Sequence, residues 1–295
     1  MHAVRQWGSA DIVSQKQHAH AFQRNRNPVC GAEATQPSRR GIDSLSLSYH
    51  HKLHEITSVA RRSGPKRKRG NMSGFKDAAT VAGYTQNATR MVPGLHDLHR
   101  MTGVLLAEAA PPDARILVLG AGGGMELAAL AQARPGWRFD GIDPSGPMLD
   151  LARQTVGPLM DRVRLHEGYI GDAPHAEFDG ACCLLTLHFL APEERLATLR
   201  ELQRRLRPGA RLVVAHHSFV AADADPDRWL LRNAGFAAAS GMPAHLAENI
   251  PALRSHLPVL APEQDAVLLA EAGFVDIELF YCAFSFKGWV ARRAG

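Results

Sequence analysis

Residues 116–130 read ILVLGAGGGMELAAL, an apolar run that breaks into glycines and then continues as a helix-like pattern. In a doubly wound sheet, the turn between the first strand and its helix brings the backbone closest to a ligand. Gly120, Gly122 and Gly124 form GxGxG, whereas the dinucleotide fingerprint is GxGxxG/A and would need a glycine at Met125. The phosphate-binding pattern GxxxxGKS/T is missing as well. The stretch therefore predicts a ligand-binding turn that differs from both of these nucleotide motifs.

From Phe75 onward, short apolar runs alternate with helical patterns, which predicts a mostly parallel sheet covered on both faces. We predict strands at 115–119, 137–142, 162–166, 179–185 and 211–217. We predict helices near 75–84, at 95–109, from 124, from 146, at 192–206 and at 262–272. A helical insertion at 220–260 interrupts this rhythm. Two closely spaced strands at 275–281 and 284–292 complete a seven-stranded, Rossmann-like α/β sheet as an antiparallel hairpin at its edge.

Basic charge is concentrated near the N-terminus. Residues 1–71 contain 13 lysine and arginine residues against 4 acidic ones, whereas residues 72–295 contain 21 against 25. Because 1–71 has no sustained apolar periodicity, we predict a disordered basic extension followed by one folded domain over 72–295. The PKRKR run at 65–69 is either a polyanion-binding or nuclear-localisation patch or, as we favour, a solvated linker.

Cysteine spacing and hydropathy argue against several classes of protein. The four cysteines show no CxxC spacing, which argues against a zinc site and a disulfide framework and favours a cytoplasmic protein. No run of about 18 consecutive apolar residues occurs, so we expect neither a transmembrane helix nor a membrane partner.

An acidic residue follows the second predicted strand, which ends in FDGIDPSGPML. Asp143 lies 23 positions after Gly120, and a carboxylate at the tip of that strand can accept both ribose hydroxyls of an adenosine. The adenosine can belong to NAD or to S-adenosylmethionine, so an NAD-linked oxidoreductase stays open at this point. The alternative role of Asp143 is to cap the helix that begins near Pro144 and Ser145. Asp140 is expected to be a solvent-facing turn residue.

Five stretches, in order, resemble the motifs of class I S-adenosylmethionine-dependent methyltransferases. ILVLGAGGG resembles the family's VLDLGCGTG, with Val118 where an acid is common. The other four are GIDPSGPML, VRLHEGYIGDAP (163–174), FDGACCLLTLHFLAPEER (178–195) and LRPGARLVV, and EAGF then precedes the sixth strand. The resemblance covers about 90–292. It implies a Rossmann-like fold, S-adenosylmethionine as the cofactor and methyl transfer as the reaction.

Within this family, TRMVPGLHDLHRM, TLHFLAPEER and FYCAFSFKGWVA resemble the carboxy-S-adenosylmethionine synthase group, which acts in tRNA wobble-uridine modification. That group holds the extra carboxylate with an arginine of the helical insertion. The matching position here is Ile250, and Arg254 is out of register. This departure from the group's pattern favours an ordinary methyl donor, with a carboxy-S-adenosylmethionine synthase-like or tRNA-modifying enzyme as the alternative.

The resemblance also assigns cofactor contacts to individual residues. Leu185 and Thr186 line the sulfonium side. Asp172 either replaces an acid that many relatives carry at the position of Tyr169 or caps a turn. Arg90 either binds the cofactor carboxylate or is a surface charge. The residues assigned to the cofactor are Gly120, Ala121, Gly122, Gly124, Asp143, Pro144, Met148, Tyr169, Ile170, Asp172, Leu185, Thr186 and Arg90.

Methyl transfer from a sulfonium needs little more than an acceptor held at attacking distance. An oxygen or nitrogen acceptor can also need a general base, for which His188, His216 and His217 are the candidates, with His188 and His216 preferred. Side chains at 216 and 217 point to opposite faces of their strand, so at most one of them faces the site. We expect a small-molecule methyl acceptor, do not favour tRNA, and leave a homodimer open.

Overall fold

The computed structural model describes residues 83–221 and 224–295, which form a seven-stranded sheet with helices on both faces. The strands are β1 (Arg115–Leu119), β2 (Arg138–Asp143), β3 (Val163–Glu167), β4 (Phe178–Leu184), β5 (Leu206–His217), β6 (Phe274–Ala283) and β7 (Phe286–Arg293). The α-helices of this part are α1 (Tyr84–Met91), α2 (Leu95–Ala107), α3 (Met125–Ala133), α4 (Gly146–Val156), α5 (Pro192–Arg205), α6 (Arg228–Ala239), α7 (Ile250–His256) and α8 (Pro262–Glu271). Short 3-10 helices include Ile170–Asp172, Leu187–Phe189 and Ala244–Asn249.

The strand order is β3-β2-β1-β4-β5-β7-β6, with β1 to β5 parallel and β7 antiparallel to both neighbours. The order changes direction between β1 and β4, and the carboxyl ends of strands open a ligand crevice at such a switch point. The predicted fold class and edge hairpin are confirmed. β5 begins at residue 206, earlier than predicted, because Leu206 pairs with Phe178 before a register shift.

Two apolar layers, one on each face of the sheet, form the core. Val118, Cys182 and Val213 belong to one layer, which α2 and α3 cover. Leu117, Cys183 and Val214 belong to the other layer, which α5 and α8 cover. Neighbouring strand residues alternate between the two layers, as the period of a β-strand requires. The central strands are therefore buried on both sides, which explains their nearly continuous apolar sequence.

Asp140 corrects one expectation from the sequence. It is 2% exposed and lies inside β2, so it is not a solvent-facing turn residue. Its Oδ2 accepts a hydrogen bond of 2.7 Å from Arg115 Nε, and its Oδ1 lies 2.8 Å from His166 Nε2. These partners on β1 and β3 satisfy the buried carboxylate, which a single strand pattern could not reveal.

The N-terminal predictions lie largely outside the described residues. This applies to the basic extension at 1–71 and to the helix near 75–84 as far as residue 82. α1 is a helix that the sequence did not predict, since the expected helices lie near 75–84 and at 95–109. It buries only Ala88, is mostly polar in sequence and ends just before Pro93, so it offers few apolar residues from which a helix could be predicted. Among the described helices, none has the length and apolarity needed to cross a bilayer.

Gly124 allows α3 to pack closely on α4. It has φ 69°, and a Cβ there would lie 2.8 Å from Ala152 Cα and 2.9 Å from the Ala152 carbonyl oxygen. The close approach that the dinucleotide fingerprint assigns to its last glycine is thus made one position earlier. Met125 packs partly buried against the core and does not obstruct the helix.

We expect Gly124→Ala to lower the free energy of unfolding by about 2 kcal/mol or more, because the new Cβ is strained and meets backbone atoms. Gly235→Ala is the matched control, since a Cβ at this helical position meets nothing within 4 Å. It should stabilise by roughly 0.5 to 1 kcal/mol. Urea denaturation of both variants checks this, and equal effects would contradict the packing argument.

Candidate cofactor and acceptor site

The glycine turn after β1 is tied to the end of β2. The backbone N–H groups of Gly120 and Ala121 both donate to the Ile142 carbonyl oxygen, at 2.8 and 3.0 Å. Gly120 has φ 80°, and a Cβ there would lie 2.0 Å from Thr186 Oγ1. The turn therefore needs glycine at 120 both for its conformation and for the approach of Thr186 from the end of β4.

Asp143 organises the centre of the site. This carboxylate is 4% exposed; its Oδ2 accepts from Gly122 N–H at 3.1 Å and its Oδ1 from Ser145 N–H at 2.9 Å. Ser145, not Asp143, caps α4, because its Oγ accepts from the Met148 N–H at 3.3 Å. Asp143 therefore connects the glycine turn with the start of α4, at the strand end where ribose recognition is predicted.

The segment after β3 borders the same edge. Gly168 N–H donates to the Asp143 carbonyl oxygen at 3.0 Å, which brings this segment beside β2. Asp172 is exposed, and its Oδ2 accepts from Tyr169 N–H at 2.9 Å. Of its two predicted roles, the structure thus shows turn capping. Ile170 is 8% exposed and belongs to the apolar core layer that contains Leu117 and Ile142.

Leu185 adopts an unusual conformation at the end of β4. Its φ is 57°, a left-handed conformation that a bulky side chain rarely adopts. Its N–H donates to the Ala215 carbonyl oxygen at 2.6 Å, and Thr186 Oγ1 donates to the Leu184 carbonyl oxygen at 3.0 Å. The sheet thus holds a strained turn where the sulfonium side of the cofactor is predicted, and such strain tends to occur at functional sites.

His188 lies in the 3-10 helix that follows β4, next to the end of β5. It is 5% exposed, and its Nδ1 accepts a hydrogen bond of 3.3 Å from the His217 backbone N–H. The neutral ring then carries its proton on Nε2. In this tautomer Nε2 is a donor, so the arrangement favours hydrogen-bond donation over general-base catalysis.

His217 is the histidine of the adjacent pair that shares this side of the sheet. Its ring stacks on Phe286 at 4.0 Å between centroids, and its Nδ1 lies 2.9 Å from Ser285 Oγ. Burial, assisted by the charge of His216, lowers the pKa of His217 to about 3. It is therefore neutral at physiological pH and supports His188 through its backbone.

His216 belongs to a different cluster on the opposite face. It is 1% exposed, and its Nε2 lies 3.1 Å from Asp265 Oδ1. The same oxygen accepts from Arg195 Nη1 at 2.5 Å, and Arg195 Nη2 donates to the Pro258 carbonyl oxygen at 2.9 Å. Burial lowers the pKa of His216, although the nearby Asp265 carboxylate opposes this shift. This placement under α5 and α8 gives His216 a structural role and argues against the predicted role as a base.

The other residues that the resemblance assigns to the cofactor lie in several parts of the fold. Ala121 and Met148 are buried beside the glycine turn, and Pro144 is half-buried after Asp143. Arg90 is half-buried in the last turn of α1. Over the described residues, no group of three or more acidic, histidine or cysteine side chains could hold a metal ion.

Glu126 is a site-region residue that the sequence pattern does not single out. It is the second residue of α3 and is 7% exposed. Burial raises its pKa to about 7, and the negative charge of Asp143 adds to this rise. Glu126 is thus a buried acid beside the glycine turn. Its raised pKa comes from burial in the folded protein, which the local sequence does not show.

Comparisons with known proteins agree with this geometry. Residues 116–209 match the family model described as a methyltransferase domain. The carboxy-S-adenosyl-L-methionine synthase of Actinobacillus succinogenes is 26% identical over 237 residues, covering 78% of this chain and 97% of the relative. The enzyme of the same name from Chromohalobacter salexigens is 28% identical over 224 residues, covering 74% of this chain and 82% of the relative.

Solved structures share the fold. The S-adenosylmethionine-dependent methyltransferase SibL has a TM-score of 0.52 at 20% identity and covers 87% of this chain and 71% of its own. Human N-acetylserotonin methyltransferase in complex with SAM has a TM-score of 0.53 at 15% identity, covering 85% of this chain and 68% of its own. The seven-stranded fold described here is therefore the fold that these methyltransferases share.

We expect Glu126→Gln to stabilise the protein at pH 8 but not at pH 4. The folded-state pKa of about 7 exceeds the ordinary value of 4.5, so stability from the neutral carboxyl is complete below pH 4.5 and is lost as pH rises towards 7. Gln removes this loss, worth roughly 1 to 3 kcal/mol at pH 8. Urea denaturation at both pH values is the measurement. Exposed Glu263→Gln is the control, and a gain that does not change with pH would contradict the argument.

Proposed function

We propose that this protein transfers a methyl group from S-adenosylmethionine to a small-molecule acceptor. The observation that carries the proposal is the buried Asp143 carboxylate, oriented by Gly122 and Ser145 at the end of β2. A carboxylate has about four lone-pair sites, so it can accept ribose hydroxyls in addition to backbone N–H groups. In this arrangement Asp143 holds the ribose while the backbone of the glycine turn follows the methionine part.

Other residues complete the cofactor side of the proposal. Ile170 and Met148 border the adenine with apolar surface, and Leu185 and Thr186 border the sulfonium. The cofactor, when bound, supplies an activated methyl group. The acceptor then lies beyond the ends of β4 and β5, below the insertion that contains α6 and α7. Orientation of the two reactants can provide roughly 7 to 11 kcal/mol of the barrier reduction.

The two histidines at the ends of β4 and β5 limit which kind of methyl acceptor suits the site. His188 Nδ1 accepts the His217 N–H, and His217 is neutral and buried. Neither is arranged to remove a proton from an acceptor. We infer that the acceptor atom is nucleophilic without enzyme assistance, as in a thiolate, a phenolate of low pKa or an unprotonated amine.

The insertion supports S-adenosylmethionine over its carboxy form. Ile250 is 5% exposed and packs in an apolar cluster with Phe219 and Leu230, where the resembling synthases need an arginine. Arg254 does not replace that arginine, because its Nε donates to Asp227 Oδ1 at 2.6 Å. An extra carboxylate beside Ile250 would be desolvated without a cation.

A carboxy-S-adenosylmethionine synthase-like activity is the second candidate, because the similarity to such a synthase spans 97% of the relative's length. A tRNA partner and a homodimer stay predictions. The PKRKR run that would bind RNA lies outside the described residues.

The cofactor assignment predicts that Asp143→Asn weakens S-adenosylmethionine binding by roughly 10-fold to 100-fold, since a charge-assisted hydrogen bond is worth about 1.5 to 3 kcal/mol. Titration calorimetry measures this. The control is Asp150→Asn, an exposed carboxylate of α4 paired with Arg153. Unchanged affinity in a folded Asp143→Asn protein, or binding of NAD in place of S-adenosylmethionine, would refute the assignment.

The choice between the two donors predicts the effect of Ile250→Arg. Wild-type protein should bind S-adenosylmethionine at least about 10-fold more tightly than the carboxy form, and the variant should reduce or reverse that ratio. Ala252→Arg adds the same charge at an exposed position of α7 and should leave the ratio unchanged. Tighter binding of the carboxy form by wild-type protein would favour the synthase-like candidate.

A further inference from the structure

α1 lies against the glycine turn through one aromatic side chain. Gly123 has φ 86°, and a Cβ built there would lie 2.6 Å from Cε1 and 2.8 Å from Cδ1 of Tyr84. The ring of Tyr84 thus occupies the space that any side chain at 123 would need. The position of α1 and the conformation of the turn constrain each other.

The other end of α1 is joined to the insertion and to the sheet. Asn233 of α6 donates from Nδ2 to the Met91 carbonyl oxygen at 3.1 Å. Tyr281 of β6 donates from its hydroxyl to the Pro93 carbonyl oxygen at 2.5 Å. Gly94 follows in a left-handed conformation with open space around it. α1 therefore bridges the glycine turn and α6 and is connected to α2 by a glycine.

The junction between α1 and α6 is incomplete in one respect. Asn233 Oδ1 is buried and has no hydrogen-bond partner within residues 83–221 and 224–295. A buried acceptor without a donor is costly, so the hydrogen bonding between α1 and α6 is only partly satisfied in this structure. The Asn233 side chain thus makes one hydrogen bond to α1 through its nitrogen, while its oxygen has no donor within the described residues.

We propose that Tyr84 is a positioning residue that couples cofactor binding to the insertion. A cofactor bound in the glycine turn stabilises the turn against Tyr84, and this orders α1. The hydrogen bond of Asn233 then transmits this order to α6, which lies above the acceptor side. The cofactor then binds before the acceptor. The proposal rests on the proposed function, since it requires the cofactor to occupy this turn. Coupling of this kind is reciprocal, so loosening α6 must also weaken cofactor binding.

Hydrogen exchange of the full chain, with S-adenosylhomocysteine as the probe, tests the coupling. In wild-type protein the probe should slow exchange about tenfold in peptides of α1 and α6, as well as in the glycine turn and α4. Asn233→Ala should keep the protection of the turn and α4, lose that of α6, and weaken probe binding about fivefold. Tyr84→Ala should lose protection of both α1 and α6, and Tyr84→Phe should restore it.

Two matched variants separate coupling from general loosening. Gln86→Ala changes an exposed residue of α1, and Arg232→Ala changes an exposed residue of α6 that contacts Trp229. Both should keep wild-type protection of α6.

The outcomes distinguish this inference from the proposed function. Protection of the glycine turn and α4 without protection of α6 in wild-type protein overturns the coupling and leaves the cofactor site supported. Protection of α6 that persists in Asn233→Ala also overturns it. Absence of protection anywhere refutes the proposed function, and the coupling fails with it. The wild-type measurement decides even where a Tyr84 variant does not fold.

Discussion

The hydrogen bonds of the Asp143 carboxylate are the interaction on which the site depends. One oxygen holds the Gly122 N–H and the other holds the Ser145 N–H, so one buried side chain orients the glycine turn and the start of α4. A Cβ at 122 would lie 2.6 Å from Asp143 Oδ2, which leaves room only for glycine. Because both bonds go to backbone, the charge is positioned by the fold before any ligand arrives.

The polar groups at the carboxyl edge of the sheet form two sets, one that stabilises the fold and one that lies at the candidate site. Arg195, Asp265 and His216 form a buried cluster that holds the return of the insertion at Pro258 against α5 and α8. His188 and His217 lie on the other side, where β4 and β5 end. The alternation of side chains along β5 thus assigns His216 to the scaffold and His217 to the crevice.

Local patterns made much of this architecture predictable. The run before Gly120 and the spacing to Asp143 predicted β1, the turn and the acid at the end of β2, because these depend on neighbouring residues in the chain. Asp140 and Glu126 could not be read in this way, since burial and partners from other strands determine their roles. α1 also escaped prediction, because its contacts with Gly123 and Asn233 are tertiary and its sequence is mostly polar.

The central claim is that Asp143 holds the ribose of S-adenosylmethionine beside the glycine turn. A crystal structure of the protein with S-adenosylhomocysteine tests it most directly. The account predicts ribose hydroxyls at about 2.7 to 3.0 Å from the Asp143 carboxylate, with the Gly122 bond retained and the adenine against Ile170. A ligand bound elsewhere, or a ribose without contact to Asp143, would contradict the account.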